Sequence, residues 1–121
     1  MEPKIPVPKS ILSTLNQLYE MEQKLRKNGD SSNIRHNLKK IKDAFEHYDH
    51  ALGLVYVDPL DQPFSETRTD MEATISGHSE DDLVVVEVIK PIIHARLQDG
   101  SKKVIQKGIV IVKSRKEKQE L

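Results

Sequence analysis

Three polar residues near the middle of the chain have a spacing that suits a metal ion. Asp43, His47 and His50 are separated by four and three residues, so a helix would place them on one face, where they could hold a divalent cation. The apolar residues of the same segment fall on the opposite face, and a polar face opposite an apolar one is usually a solvated surface. We therefore expect neither a metal nor a cofactor here.

Carboxylates are concentrated in turn-rich segments. A hydrolase that uses paired carboxylates encloses them in a cleft with separated pKa values, whereas aspartate in a turn usually accepts hydrogen bonds from the backbone. The chain has no cysteine, its serines lie beside turns or helix ends, and its 5 glycines are scattered singly. We therefore expect a protein that is not an enzyme. The carboxylates are Asp58, Asp61, Glu66, Asp70, Glu72, Glu80, Asp81 and Asp82.

Basic residues recur in the second half of the chain. Few aromatic residues lie near them to stack on bases, so the pattern is weak support for nucleic-acid binding. A cationic hairpin edge would equally suit an acidic protein surface, where charge sets encounter rate and register. The third interpretation is that these basic residues only keep the protein soluble. The residues are Lys90, His94, Arg96, Lys102, Lys103, Lys107 and Lys113.

The composition excludes several classes of protein. The 121 residues carry 19 basic and 19 acidic side chains, for a formal net charge of +0, which argues against a surface built wholly for nucleic acid or anionic membrane. Without cysteine there is no disulfide framework. No apolar run approaches the roughly 20 residues of a membrane span, and the first residues lack the apolar core of a secretion signal. We expect a soluble, cytoplasmic protein.

Residues 10–53 have the pattern of a helical hairpin, after a proline-rich arm at 1–9. The first helix would begin at Ser10 as N-cap and end at Gly29, with the polar Glu22 where an apolar residue is due. The second would be capped by Ser31 or Ser32 and end at Gly53.

The apolar residues of the second helix recur at spacings of four and three, a heptad seam that packs against other helices. Two short helices cannot bury both apolar faces alone, so we expect a homodimer with a four-helix bundle. The alternative is that the helices pack on the C-terminal half. The predicted bundle core is Leu15, Leu18, Ile34, Leu38, Ile41, Phe45, Tyr48 and Leu52.

Residues 54–113 change to strand patterns, and 114–121 form a charged tail. The apolar run Leu83–Ile89 predicts a central strand, Asp99-Gly100 predicts a hairpin turn, and Val104–Val112 predicts a last strand with a bulge or kink at Gly108. The expected fold is α+β, in which the hairpin is followed by a small all-β module of about five or six strands.

The order of these segments resembles the GrpE family, the nucleotide exchange factors of DnaK-type heat-shock chaperones. In that family a helix ends in an apolar residue and glycine. A valine-rich strand, a G-[EQ]-P-F-D loop, an H-E-A segment, a V-V-E-V strand and a final valine-rich strand follow. The corresponding residues here are Gly53; Asp61, Gln62, Pro63 and Phe64; Met71, Glu72 and Ala73; Val85, Val86, Glu87 and Val88; and Val104 to Val112.

The resemblance implies a homodimeric co-chaperone of the stress response that binds the ATPase domain of a DnaK-type chaperone and promotes ADP release. In the family a basic residue of the last hairpin engages the chaperone, and its nearest equivalent is Lys103, with Lys102 beside it. His94, Arg96 and Lys107 are further candidates because of their cationic placement.

Gly53 would be the hinge between the bundle and the β-domain. A larger residue there would have to adopt a left-handed cap at a cost of about 1 kcal/mol. We expect Gly53→Asp to leave the dimer intact and to weaken exchange.

The chain departs from the family at several positions. Met71 replaces the family's histidine, Gln106-Lys107 replaces an arginine-proline pair, and the long paired helix of the family does not precede residue 10. We therefore expect a divergent short form. Two alternatives stay open: a dimeric adaptor or scaffold with the same shape and no exchange activity, and a small nucleic-acid-binding β module.

Overall fold

The computed structural model describes residues 7–30, 33–48 and 52–118. Two helices come first and β-sheets follow, which confirms the α+β class. None of the helices in these ranges combines the length and hydropathy that a membrane span requires. The elements are α1 Lys9–Asn28, α2 Ile34–Glu46, β1 Leu52–Val57, β2 Pro63–Phe64, β3 Met71–Ile75, β4 Leu83–Lys90, β5 Ile92–Leu97, β6 Lys102–Gln106, β7 Gly108–Ser114 and α3 Arg115–Lys118.

The chain divides into two compact units. The first comprises the described parts of Met1–Tyr56 together with Ile93–Ile105, and the second comprises Val57–Ile92 with the described part of Gln106–Leu121. The strand order is β1-β5-β6 in one sheet and β2-β4-β7-β3 in the other. The first unit thus combines the predicted helices with strands from the predicted β module.

The first helix ends where the sequence predicts but begins differently. Gly29 has a φ of 81°, and its amide donates to the Leu25 carbonyl at 2.9 Å. The N-cap is Pro8 rather than Ser10, because proline suits the start of a helix, where an amide would lack a partner. Ser10 lies inside α1, and its carbonyl accepts a hydrogen bond from the Thr14 hydroxyl at 2.8 Å.

The second helix departs from prediction at both ends. The Asp30 carboxylate accepts hydrogen bonds from the amides of Ile34 at 2.7 Å and Arg35 at 2.8 Å, so Asp30 supplies the capping oxygens. The predicted caps, Ser31 and Ser32, lie outside the described residues. At the other end α2 stops at Glu46, and the predicted extension to Gly53 is wrong.

The early stop of α2 has a tertiary cause. Leu52 and Gly53 belong to β1, a strand of the sheet β1-β5-β6. Leu54 and Tyr56 of that strand are 1% and 8% exposed. Sheet pairing and burial of these residues stabilise the chain more than another turn of helix would. The apolar residues of that extra turn would have stayed in contact with water.

Both helices pack against β1. The Tyr19 and Tyr56 rings meet edge to face with centroids 6.0 Å apart. Leu15 and Lys42 line a small cavity with β1 residues. Within one chain, the observed packing is therefore the alternative raised above, in which the helices pack on strands of the C-terminal half.

A polar contact crosses this apolar interface. The Tyr56 hydroxyl donates to the Glu22 carboxylate at 2.5 Å, and the Lys42 ammonium lies 3.4 Å from the same carboxylate and 4.7 Å from the centre of the Tyr56 ring. Burial, followed by the hydrogen bond and the charge of Glu22, raises the pKa of the Tyr56 phenol well above its usual value. The carboxylate that interrupts the apolar stripe of α1 is thus explained by its partner on β1.

The second unit is built on a four-stranded sheet. β4 pairs antiparallel with β2 and β7, whereas β3 runs parallel to β7. β4 is an inner strand of this sheet, as its apolar run predicts. Val85, Val110 and Val112 are at most 1% exposed and form the centre of this unit.

The predicted last strand is divided between the two sheets. β6 ends at Gln106 and β7 begins at Gly108, and the strand expected from Val104 to Val112 is therefore two strands. The Gly108 amide donates to the Asp70 carbonyl at 2.9 Å. A Cβ atom at Gly108 would lie 2.9 Å from Cγ1 of the buried Ile92. The bulge expected at Gly108 is a close-packed point where the strand pairing changes.

The charged tail contributes a contact within the second unit. Glu117 of α3 accepts hydrogen bonds from the amides of Ser79 at 2.6 Å and His78 at 3.1 Å. These bonds, chiefly the one from Ser79, lower the pKa of the Glu117 carboxyl. Within the charged tail predicted at 114–121, Glu117 is therefore part of the folded unit.

We predict that Tyr56→Phe lowers the free energy of unfolding by about 1.5 to 2 kcal/mol, because a half-buried carboxylate loses its donor. Urea denaturation at neutral pH measures the effect. Tyr48→Phe is the matched control, since Tyr48 is 42% exposed and should lose almost nothing.

The same pair of variants can be compared in alkali. Unfolded Tyr56 loses its proton near pH 10.0, whereas the folded state retains it because the pKa is raised. Stability should therefore fall as the pH rises above that value. The fall should be smaller in Tyr56→Phe, and an equal fall in both variants would contradict the raised pKa of Tyr56.

Candidate functional site

The β5–β6 hairpin carries most of the cationic residues selected from the sequence. Its turn forms at Asp99-Gly100 as predicted: the Leu97 amide donates to the Ser101 carbonyl at 2.8 Å, and the Gly100 amide donates to the Leu97 carbonyl at 2.9 Å. The Asp99 carboxylate accepts hydrogen bonds from the Ser101 hydroxyl at 2.5 Å and amide at 2.9 Å. These bonds, first that of the hydroxyl, lower the pKa of Asp99. The turn is thus fixed by local hydrogen bonds.

Alternation along β5 places its cations on one side of the strand. Ile93 and Ala95 are fully buried, so the intervening His94 and Arg96 point to the other face. Arg96 is exposed, whereas His94 is half-buried and takes part in an interaction within the chain. Arg96 is therefore the accessible charge of this strand.

The two lysines of β6 also differ in solvent exposure. Lys102 is exposed and Lys103 is half-buried, and Lys103 also interacts within the chain. Lys107 is exposed but follows β6 and belongs to the second unit. The hairpin of the first unit therefore carries His94, Arg96, Lys102 and Lys103 together, and Lys107 is assigned elsewhere.

The acidic loop before β3 is organised by Arg68, a residue that the sequence analysis does not identify. Its guanidinium donates to both oxygens of Asp70, at 3.0 and 2.7 Å, and also to the Gln62 side chain at 3.0 Å and the Pro63 carbonyl at 3.2 Å. A planar guanidinium suits this bidentate contact. Arg68 thus fixes the loop that contains the Gln-Pro-Phe segment.

Asp58 acts on the backbone, as expected, whereas the Asp70 carboxylate binds the side chain of Arg68. The Asp58 carboxylate accepts a hydrogen bond from the Leu60 amide at 3.0 Å, which is an Asx turn. Asp61 has a φ of 68°, a left-handed conformation that aspartate tolerates better than most residues. These roles are structural.

The possible metal face near the end of α2 is only partly described. The His47 Nδ1 atom lies 3.0 Å from the Asp43 carbonyl oxygen, and both residues are exposed. His50 lies outside the described residues. Across residues 7–30, 33–48 and 52–118, no group of three histidine, aspartate or glutamate side chains has a metal-binding arrangement.

The expected bundle core separates into buried and exposed residues. Leu15, Leu18 and Leu38 are at most 5% exposed, and Phe45 is half-buried. Leu52 is half-buried in β1 and does not belong to a helix, so its assignment to the helical seam is wrong. The remaining residues are exposed: Ile34 by 40%, Ile41 by 43% and Tyr48 by 42%.

Gly53 occupies a strand and not a helix cap. Its predicted left-handed conformation is wrong, since its φ is outside the positive range found at Gly29, Gly77 and Gly100. A Cβ atom at Gly53 would collide with the Glu46 carbonyl oxygen and lie 3.7 Å from Cβ of Arg96. Glycine is needed here for close approach between β1 and the end of α2.

Comparison of the chain with protein-family models, with curated proteins and with solved structures finds no match.

We predict that Gly53→Ala lowers the free energy of unfolding by about 1 to 3 kcal/mol, because the new methyl group meets a backbone carbonyl that cannot move aside. Thermal and urea denaturation measure the loss. The control is Ser13→Ala, at an exposed position of α1, where the substitution should cost almost nothing because no packed backbone is displaced. Equal losses in the two variants would show that close packing at Gly53 is not the cause.

Proposed function

We propose that this protein is a cytoplasmic GrpE-like co-chaperone that binds the ATPase domain of a DnaK-type chaperone and promotes ADP release. The observation that carries the proposal is the ordered series of motifs between residues 53 and 112. Pro63-Phe64 forms β2, Met71-Glu72-Ala73 begins β3, and Val85–Val88 lies in β4. These three segments are thus strands of one sheet, β2-β4-β7-β3.

Exchange by this route requires no catalytic side chain. The chaperone's nucleotide cleft opens and closes, and a protein that binds the open state more tightly raises its population, so that ADP leaves. Each 1.4 kcal/mol or so of preference for the open state shifts the equilibrium about tenfold. The surface that supplies this preference must be rigid enough to favour one shape of the cleft.

The β5–β6 hairpin is the surface that we assign to this contact. Its turn is fixed by Asp99 and Ser101, and its base is anchored by the buried Ile93 and Ala95. The cations therefore sit on a supported hairpin and not on a loose loop. Such an array would speed association with an acidic surface on the partner and would fix the register of the two surfaces.

A dimeric adaptor without exchange activity is the second candidate, and two departures from the family favour it. Met71, at the family's histidine position, is 4% exposed and is a core residue. The Gln106 amide, at the family's arginine position, donates to the Pro91 carbonyl at 3.0 Å. Both side chains are used inside the second unit, so the family's polar groups at these positions have no equivalents here.

We also propose that the protein forms a homodimer through α2. Leu38, together with the half-buried Phe45, forms the inner row of its seam. Tyr48 lies just beyond the end of α2 and is 42% exposed, whereas Ile34 and Ile41 form a second row on the helix, seven residues apart and at least 40% exposed. Seven-residue spacing keeps these residues on one face of a helix. A second copy presenting the same row would cover it, as in a twofold interface.

We predict that the native protein accelerates release of a fluorescent ADP analogue from a DnaK-type ATPase domain, and that Lys102→Glu with Lys103→Glu reduces the acceleration about tenfold or more by reversing two contact charges. Stopped-flow fluorescence measures the rate. The matched control is Lys39→Glu with Lys40→Glu, an exposed adjacent pair on α2.

Three outcomes of that experiment separate the candidates. Acceleration lost only in the hairpin variant supports the proposal. Binding to the ATPase domain without acceleration indicates the adaptor. No binding to the domain, together with a salt-dependent gel shift of nucleic acid, indicates the third alternative and contradicts the co-chaperone.

We predict that Ile41→Asp converts the dimer to a monomer, because a carboxylate would be buried in an apolar contact. Sedimentation velocity measures the oligomeric state. His36→Asp is the control, since His36 is exposed and lies about 140° around the helix from Ile41. A native protein that sediments as a monomer at high concentration would contradict the interface.

A further inference from the structure

The second unit has an open groove of about 570 Å³ that the proposed function does not use. Its apolar lining includes Phe64 on β2, Leu83 on β4 and Ile75 on β3. Phe64 is directly opposite Leu83 in the sheet, and Ile75 is beside Val112, a residue on the same face as Val85. These side chains therefore share one face of the sheet β2-β4-β7-β3.

The floor of the groove is more exposed than the rest of that face. Val85 and Val112 are fully buried, whereas Ile75 is 40% exposed and both Phe64 and Leu83 are half-buried. Exposed apolar area gathered in a concavity is a feature of binding sites. The volume lies within the range of about 300 to 1,000 Å³ that is usual for ligand pockets.

The edge of the groove is acidic. Glu66 follows β2, and Glu80, Asp81 and Asp82 precede β4. All four carboxylates are exposed. Asp82 lies 3.7 Å from Arg115, but no lysine or arginine is among the described residues that line the groove itself. The potential at the groove edge is consequently negative.

The acidic edge is held in place by backbone contacts. The Asp81 amide donates to the Ser79 hydroxyl at 3.2 Å, the Ser79 amide donates to Glu117 at 2.6 Å, and the Arg115 amide donates to the Asp82 carbonyl at 3.0 Å. Because α3 holds this segment at two points, the backbone that carries Glu80, Asp81 and Asp82 is fixed beside the apolar floor.

We propose that this groove binds a short peptide segment of another protein that carries both apolar and basic side chains. The apolar side chains would cover Phe64, Ile75 and Leu83, and the long stems of lysine or arginine would let their charges reach the carboxylates at the edge. Charge complementarity selects a basic segment and excludes an acidic one. This interaction is independent of the chaperone contact assigned to the β5–β6 hairpin.

The test uses the full chain and a fluorescein-labelled peptide of alternating lysine and leucine, with binding followed by fluorescence anisotropy. The same peptide with glutamate in place of lysine is the charge control, and one with glycine in place of leucine is the apolar control. We expect binding of the lysine–leucine peptide alone, and we expect it to weaken as salt is raised.

Two variants assign the binding to the groove. Glu80→Lys with Asp81→Lys should weaken it about tenfold or more, and Ile75→Ser should weaken it about fivefold by removing apolar contact. The matched control is Glu72→Lys with Glu87→Lys. Glu72 is paired with Ile109 and Glu87 with Ile111, so both lie on the opposite face of the same sheet, and the change in net charge is identical.

Several results would overturn the proposal. These are absence of binding to the lysine–leucine peptide, binding of either control peptide as tightly as the lysine–leucine peptide, and equal weakening by the groove and opposite-face variants. A fourth is the loss of self-association, measured by sedimentation, in Glu80→Lys with Asp81→Lys, because the groove would then hold a second copy of this chain.

Discussion

The hydrogen bond between Tyr56 and Glu22 is the constraint on which the first unit depends. A carboxylate at the interface between a helix and a strand must be compensated, and here the phenol donates to it at 2.5 Å while Lys42 lies 3.4 Å away. An uncompensated half-buried charge at this point would oppose the packing of the surrounding apolar residues. Because the bond is directional, it also fixes how α1 sits on β1.

The surfaces that we propose for binding follow from what each unit buries. In the first unit, burial of Ile93 and Ala95 turns Arg96 outward, and burial of Leu38 leaves the row containing Ile41 exposed on α2. In the second unit, the side chains at the centre of the sheet are buried, whereas those at the floor of the groove are partly exposed. A cationic hairpin, an apolar helix row and an acidic groove are thus distinct surfaces suited to different partners.

Local patterns predict local structure well in this chain. The hairpin at Asp99-Gly100, the positive φ at Gly29 and the inner strand β4 all follow from turn chemistry and apolar runs. Three other features do not follow from such patterns: the end of α2, the division of the last strand at Gly108 and the contacts of Arg68. The first two depend on other segments of the fold, and the third depends on side-chain contacts within one loop, to Asp70, Gln62 and Pro63. Neither periodicity nor propensity in a single sequence identifies such partners. Glu22 shows the limit most clearly, because its position in the apolar stripe of α1 is explained only by Tyr56 and Lys42, which lie 34 and 20 residues further along the chain.

A double-mutant cycle between Glu22 and Tyr56 tests this account most directly. The free energies of unfolding of the native protein, Glu22→Leu, Tyr56→Phe and the double variant would be measured in urea; leucine is used because it has no oxygen to accept the hydrogen bond. If the two side chains bond in solution, the cycle should give a coupling energy of about 1 kcal/mol or more. A coupling energy of zero, with the two single losses simply adding, would contradict the packing of α1 on β1 from which the account begins.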